Sequence, residues 1–155
     1  MNNDFKIEAG QFFLTGVPGI DAQHKELFTM LDHLLYSLKN EMPSHDEIQK
    51  TAHNIFGKMR SHIATEESLM EMIEFPKVEE HKAQHNNIFN MLAEESKILE
   101  DTDNAKISRF LQSYRHIALT HITVFDREYV SHIEKFKASR RKFRKNLPRG
   151  EAIAG

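Results

Sequence analysis

The sequence predicts an all-α chain, an up-down-up-down antiparallel four-helix bundle with an extended N-terminal arm and a basic C-terminal tail. Three features predict it. Apolar residues recur at helical spacing over four long stretches. Strand-type alternation is almost missing. The 6 Gly and 4 Pro fall mainly near the two ends (Gly10, Gly16, Pro18 and Gly19 early; Pro148, Gly150 and Gly155 late) and leave the middle nearly free of helix breakers. At 155 residues the chain suits one domain with a real core, read here as residues 1–134 with the arm over 1–20, followed by the tail over 135–155.

Each helix carries its own boundary signals. The arm contains Phe5, Phe12, Phe13 and Leu14, which suit packing across the bundle. The first helix is expected from Asp21, a good N-cap after Gly19, to about Asn40, with Leu27, Phe28, Leu31, Leu34, Leu35 and Leu38 inward. Ser44 and Glu47 have the Ser-x-x-Glu form of a capping box and open a second helix over about 45–73. Phe75-Pro76 stops it, because proline pushes the residue before it out of the helical region. A third helix runs from about Lys77 to Glu100, with Ile88, Met91, Leu92 and Ile98 as core candidates. Asp101 or Asp103 caps the fourth, whose apolar face is Ile107, Phe110, Leu111, Tyr114, Ile117 and Phe125.

Composition narrows the function classes. With 39% hydrophobic and 28% charged residues, this is the composition of an ordinary globular protein. The absence of cysteine excludes disulfides, thiolate zinc sites and iron–sulfur clusters, and fits a cytoplasmic location. No apolar run approaches the roughly 20 residues of a membrane span, and the start has no secretory pattern. Residues 1–134 hold 13 Lys+Arg against 22 Asp+Glu, whereas 135–155 hold eight cations against one acid, Glu151. The acidic body argues against broad nucleic-acid binding. The basic stretch 135–149 reads first as a solvated helix end, and second as a surface for an acidic protein or a membrane.

Seven residues carry the chemistry: His24, His62, Glu66, His81, His85, His121 and Asp126. Residues four apart share a helix face, so His62 with Glu66, and His81 with His85, can each aim two donors at one spot. The spacing of His121 and Asp126 is awkward, because five residues leave the side chains about 140° apart. A local π-bulge would reconcile it, and an irregularity is expected there. Five imidazoles and two carboxylates exceed the needs of one ion but suit two, with the carboxylates as bridges. Such donors favour iron, zinc or copper over magnesium or calcium. The set is richer in histidine than the carboxylate sites of ferritin-like bundles, and the His-Glu-x-x-His motif of metalloproteases is absent.

Four stretches, GIDAQHKELF, HIATEESLM, FPKVEEHKAQHNNIF and HITVFDREY, together resemble the hemerythrin family, in particular its single-domain bacterial members, over about residues 13–130. The resemblance implies an oxo- or hydroxo-bridged di-iron centre that binds O₂ reversibly. It assigns His81, His85 and His121 to one iron, His24 and His62 to the other, and Glu66 and Asp126 to both. One side then has six ligands and is closed, while the other keeps an open position for O₂. The chain departs from the bacterial members in having no tryptophan. Ile117 stands where one often precedes the helix-four histidine, and Ala118 where a bulky apolar residue often lines the O₂ pocket. A roomier pocket that oxidises faster is the consequence expected at Ala118.

The remaining candidates have plainer readings. His33, His53, His45 and His116 are expected at the surface or at a helix start, and His132 in the core or at an interface. Glu67 is expected to point away from Glu66 into solvent. Met30, Met59, Met70, Met72 and Met91 read as core filler. The functional expectation is an O₂-binding monomer for storage, transport or delivery, not an enzyme. An O₂ or redox sensor acting through a partner, and a di-iron oxidase or a peroxide- or nitric-oxide-processing enzyme, are the alternatives.

Overall fold

The computed structural model describes residues 15–101 and 103–146, and among them there is no strand. The helices are α1 (Pro18–Asn40), α2 (His45–Met72), α3 (Val78–Glu95), α4 (Asn104–Thr120) and α5 (Arg127–Asn146). A 3₁₀ segment, Ser96–Glu100, follows α3, and a π-helical turn, His121–Asp126, joins α4 to α5 without a break. Four helical rods therefore make the fold, the last of them running from Asn104 to Asn146. Contacts pair α1 with α2 and α4, and α3 with α2 and α4, as a four-helix bundle requires.

The helix ends follow local chemistry. Pro18 takes the first helical position, where its fixed φ suits the helix and its missing N–H costs nothing, so α1 starts three residues before the expected cap. Asp21 instead lies inside the first turn and accepts from the Thr15 backbone N–H at 2.6 Å and the Thr15 hydroxyl at 2.8 Å. Gly16, at φ 75°, supplies the left-handed bend between them. Residues 18–20 of the expected arm are thus helical, and residues 1–14 lie outside the described residues. The capping box at Ser44 and Glu47 is present in both directions. Asp103, not Asp101, caps α4 by accepting from the N–H groups of Ala105 and Lys106. The third helix stops short of Glu100, because its end tightens into the 3₁₀ segment that buries Leu99. The basic stretch from Lys135 continues α5 as helix as far as Asn146; residues 147–155 lie outside the described residues.

Two apolar clusters fill the interior. The larger gathers residues such as Leu31 and Leu34 of α1, Ile48 and Ile55 of α2, Leu92 of α3, and Phe110 and Leu111 of α4. The smaller comprises Met70, Ile73, Phe75, Tyr129 and Ile133. Along α2 the order is Ile63 in the larger cluster, then Glu66, then Met70 in the smaller. Along the fourth rod it is Ile122, Asp126 and Tyr129. A polar layer therefore separates the two clusters. Met72, expected in the core, ends α2 and is 67% exposed.

Candidate metal centre

The polar layer is built from all four rods. α1 contributes His24, α2 contributes His62 and Glu66, α3 contributes His81 and His85, and the π turn carries His121 at its first position and Asp126 at its last. In a π turn the backbone bonds i→i+5, so residues five apart can face one site. The turn removes the misalignment that an α-helix imposes on the His-x-x-x-x-Asp spacing. All seven side chains are buried, an expensive state for polar groups unless something binds them.

Their donor atoms converge. His121 Nε2 lies 3.1 Å from His81 Nε2 and 3.0 Å from His85 Nε2. His24 Nε2 lies 3.1 Å from His62 Nε2. Asp126 lies between the two groups, with Oδ1 3.3 Å from His81 Nε2 and 3.1 Å from His121 Nε2, and Oδ2 3.6 Å from His24 Nε2. Glu66 also reaches both, but with one oxygen: Oε2 lies 3.2 Å from His85, 3.8 Å from His81 and 3.7 Å from His62. Its other oxygen, Oε1, accepts a 2.5 Å hydrogen bond from the Tyr129 hydroxyl. Two overlapping donor groups result, Glu66–His81–His85–His121 and His24–His62–Glu66.

A cation suits this arrangement better than a hydrogen-bond network does. Glu66 Oε2 and both Asp126 oxygens are buried without a hydrogen-bond partner of good geometry. Ring nitrogens about 3 Å apart repel one another whenever their lone pairs meet head-on, whereas a positive ion between them is attracted to each. The residues present fit a metal centre, and the histidine-rich donor set suits a transition metal.

The electrostatics of the protein alone point the same way. Burial lowers His62 to about 4, a fall that Glu66 opposes and His24 reinforces. Burial also works against protonation of His81, but the facing carboxylates of Asp126 and Glu66 outweigh it and raise its pKa to about 9. Burial alone would raise Glu66, yet His81, His85, His62 and Tyr129 hold its carboxyl well below the usual range. A positive charge is thus favoured beside the two carboxylates.

Several partners lie behind the ligand-type residues. Glu67 Oε1 is 2.9 Å from His85 Nδ1, so this carboxylate is not simply solvated as its sequence position suggests. Gln23 Oε1 is 3.2 Å from His62 Nδ1. Both contacts fix the outer nitrogen as the proton carrier and leave Nε2 as an inward lone pair. Tyr129 is fully buried, and its place three residues after Asp126, on the same helix face, was a readable signal. A small cavity borders the layer, lined by histidines of both groups (His24, His62, His85 and His121) together with Leu27, Met59, Ile88 and Ala118. Ile117 is half-buried and is not part of that lining. His33, His53 and His116 are exposed, and His132 donates to the Ile73 carbonyl at 2.8 Å.

No curated protein and no solved structure matches the chain. The family model described as the hemerythrin HHE cation binding domain matches residues 15–134, a span that contains every residue of the polar layer. The chain belongs to the hemerythrin family.

Proposed function

We propose that the protein is a non-haem di-iron protein that binds O₂ reversibly for storage, transport or delivery. The observation that carries the reading is the inequality of the two donor groups: three histidines gather on one side and two on the other, with Glu66 and Asp126 between. His81, His85 and His121 would hold one iron, His24 and His62 the second, and the two carboxylates would face both. When bound, the iron pair supplies the redox chemistry that O₂ binding needs. The protein supplies the surroundings. Leu27, Met59, Ile63, Ile88, Ala118 and Ile122 give the cavity beside His24, His62, His85 and His121 an apolar wall, which suits a small apolar gas and excludes bulk water. Tyr129 holds one oxygen of Glu66 in place, while His81, His85 and His62 do most to keep its carboxyl ionised. Among the described residues, no acid or base beyond the ligand set lines that cavity, which favours binding over catalysis.

The reading extends to the architecture. His24 near the start of α1 meets His62 near the end of α2, which supports an up-down-up-down order. No helix among the described residues is long and apolar enough to cross a membrane, and the cysteine-free composition suits a reducing compartment such as the cytoplasm. Reconstitution with ferrous iron without air, followed by O₂, tests the function. Two irons per chain and a visible band that appears with O₂ and vanishes on its removal are expected. Rapid irreversible oxidation without such a band would reject reversible binding.

A sensor reading draws on a separate observation. The π turn that carries His121 and Asp126 leads directly into α5, whose outer turns hold exposed Lys135, Lys137, Arg140, Arg141 and Lys142. A change of ligation has a direct path along that helix to a basic surface fit for an acidic protein or membrane partner. Partner binding that changes with the oxidation state of the iron favours this reading; binding indifferent to it counts against it.

A further inference from the structure

We propose that the pocket is two unequal metal sites that fill in a fixed order, and that Glu67 and Gln23, neither of them a ligand, set the gap between them. This rests on the reading of the pocket as a two-ion site, not on O₂ binding. Glu66, His81, His85 and His121 place four ligand atoms within 4.8 Å of one another, whereas the other side offers His24, His62 and the same Glu66. Glu66 presents one oxygen to both sides because Tyr129 holds the other. The richer side therefore takes the first ion and the larger share of that oxygen.

The outer partners widen the difference. Behind His85 stands a carboxylate, Glu67, which in the described structure pairs with no lysine or arginine. A carboxylate accepting the outer N–H makes the inner nitrogen a stronger donor and adds negative charge close to a cation on that side. Behind His62 stands a neutral amide. Gln23 cannot present its NH₂ there, because its Nε2 donates to Thr65 Oγ1 at 3.3 Å and Thr65 is itself anchored to the Ser61 carbonyl at 2.9 Å. The amide carbonyl orients His62 but brings no net charge. One imidazole is oriented and charged from behind; the other is only oriented. The ion held by His24 and His62 is consequently the weaker and more exchangeable one.

Titration of the metal-free full-length chain with Co²⁺, followed by calorimetry and visible absorption, tests this. Two resolved steps are expected, and His24→Ala should remove only the weaker. Glu67→Gln should weaken the first step about 10–100-fold and leave the second nearly unchanged. Gln23→Glu should tighten the second step and bring the two affinities together. A single two-ion step in the unmodified chain overturns the proposal. So does a Glu67→Gln chain that weakens both steps equally and melts earlier without metal, since that is the mark of a structural role. Glu67 is 28% exposed at its side chain, so its replacement threatens folding little, and Gln23→Glu is an independent arm if it does. Two ordered steps in a protein that takes up no O₂ reversibly would uphold this inference while removing the O₂ reading.

Discussion

The two apolar clusters on either side of the metal layer are held together differently. The larger takes buried side chains from every rod, the most deeply buried being Ile48, Ala52 and Ile55 of α2 and Ile107 and Leu111 of α4. Apolar burial, at about 25 cal/mol per Å², is its main stabilisation, and ion pairs at its rim (Arg115 to Asp32 at 2.6 Å, Lys58 to Glu26 at 2.5 Å) add to it without touching the metal layer. The smaller comes from the end of α2, the following loop and the start of α5. It relies on polar ties: Tyr129 to Glu66, His132 to the Ile73 carbonyl, and Lys77 to Glu128 at 2.9 Å. One of those ties ends on a residue of the metal layer. The contrast predicts that the larger cluster keeps its order without metal and that the order of the smaller is coupled to metal.

Leu111→Ala is the strongest challenge to that contrast. Leu111 is fully buried, and the cavity left behind should cost about 2–5 kcal/mol. The melting temperature should fall to a similar extent in metal-free and loaded protein. If loading with metal restored most of the loss, the larger cluster would not be an independent scaffold.

The metal layer itself should make the metal-free chain pH-sensitive in two opposite senses. His62, lowered to about 4, binds fewer protons folded than unfolded, so between about pH 4 and the ordinary histidine value near 6.5 stability rises with pH. The span corresponds to about 3 kcal/mol at most. His81, raised to about 9, works the other way: its contribution is complete below about 6.5 and is lost as pH climbs through 9. Glu66, held low, loses its contribution only further into acid and does not move the maximum. Denaturant melts at a series of pH values should peak near 6.5, and a flat profile from 4 to 9 would show that the layer is not strained without metal.

Tyr129→Phe removes the tie between the smaller cluster and Glu66. A hydrogen bond to a charged group contributes about 1.5–3 kcal/mol, and the loss should be local. Hydrogen exchange should quicken over Arg127–Asn146 while α1 and α4 keep their protection. Equal quickening in all helices would mean the two clusters unfold as one unit, and the contrast would collapse.

What the sequence disclosed, and what it withheld, follows the same division. Signals carried within one helix were legible: the capping box at Ser44 and Glu47, the shared face of His81 and His85, and the irregularity demanded by His121 and Asp126. Relations between helices were not. Glu67 sits one residue from Glu66, about 100° around the same helix. It meets His85 only because of where α3 lies and how it is rotated, which no single-helix pattern specifies. Gln23 is hidden in the same way behind His62. The start of α1 misled for another reason: Asp21 has the chemistry of an N-cap but spends it on Thr15, three residues before a proline that begins the helix.

Ala118 stands where the two regimes meet, a member of the larger cluster that also lines the cavity at His24, His62, His85 and His121. That cavity is about 20 Å³, room for roughly one water-sized molecule. A leucine side chain adds more volume than that, so Ala118→Leu should fill the cavity and press on Leu27 and Met59, at a cost of about 1–3 kcal/mol. The gain should appear in the loaded protein as slower autoxidation, because water has less room beside the histidines that line the cavity. Stopped-flow and long-term absorbance on the iron-loaded variant measure both arms. Slower O₂ entry together with slower autoxidation would make the edge of the scaffold a control point for the site. An autoxidation rate equal to that of the unmodified chain would leave Ala118 as packing alone and confine function to the polar layer.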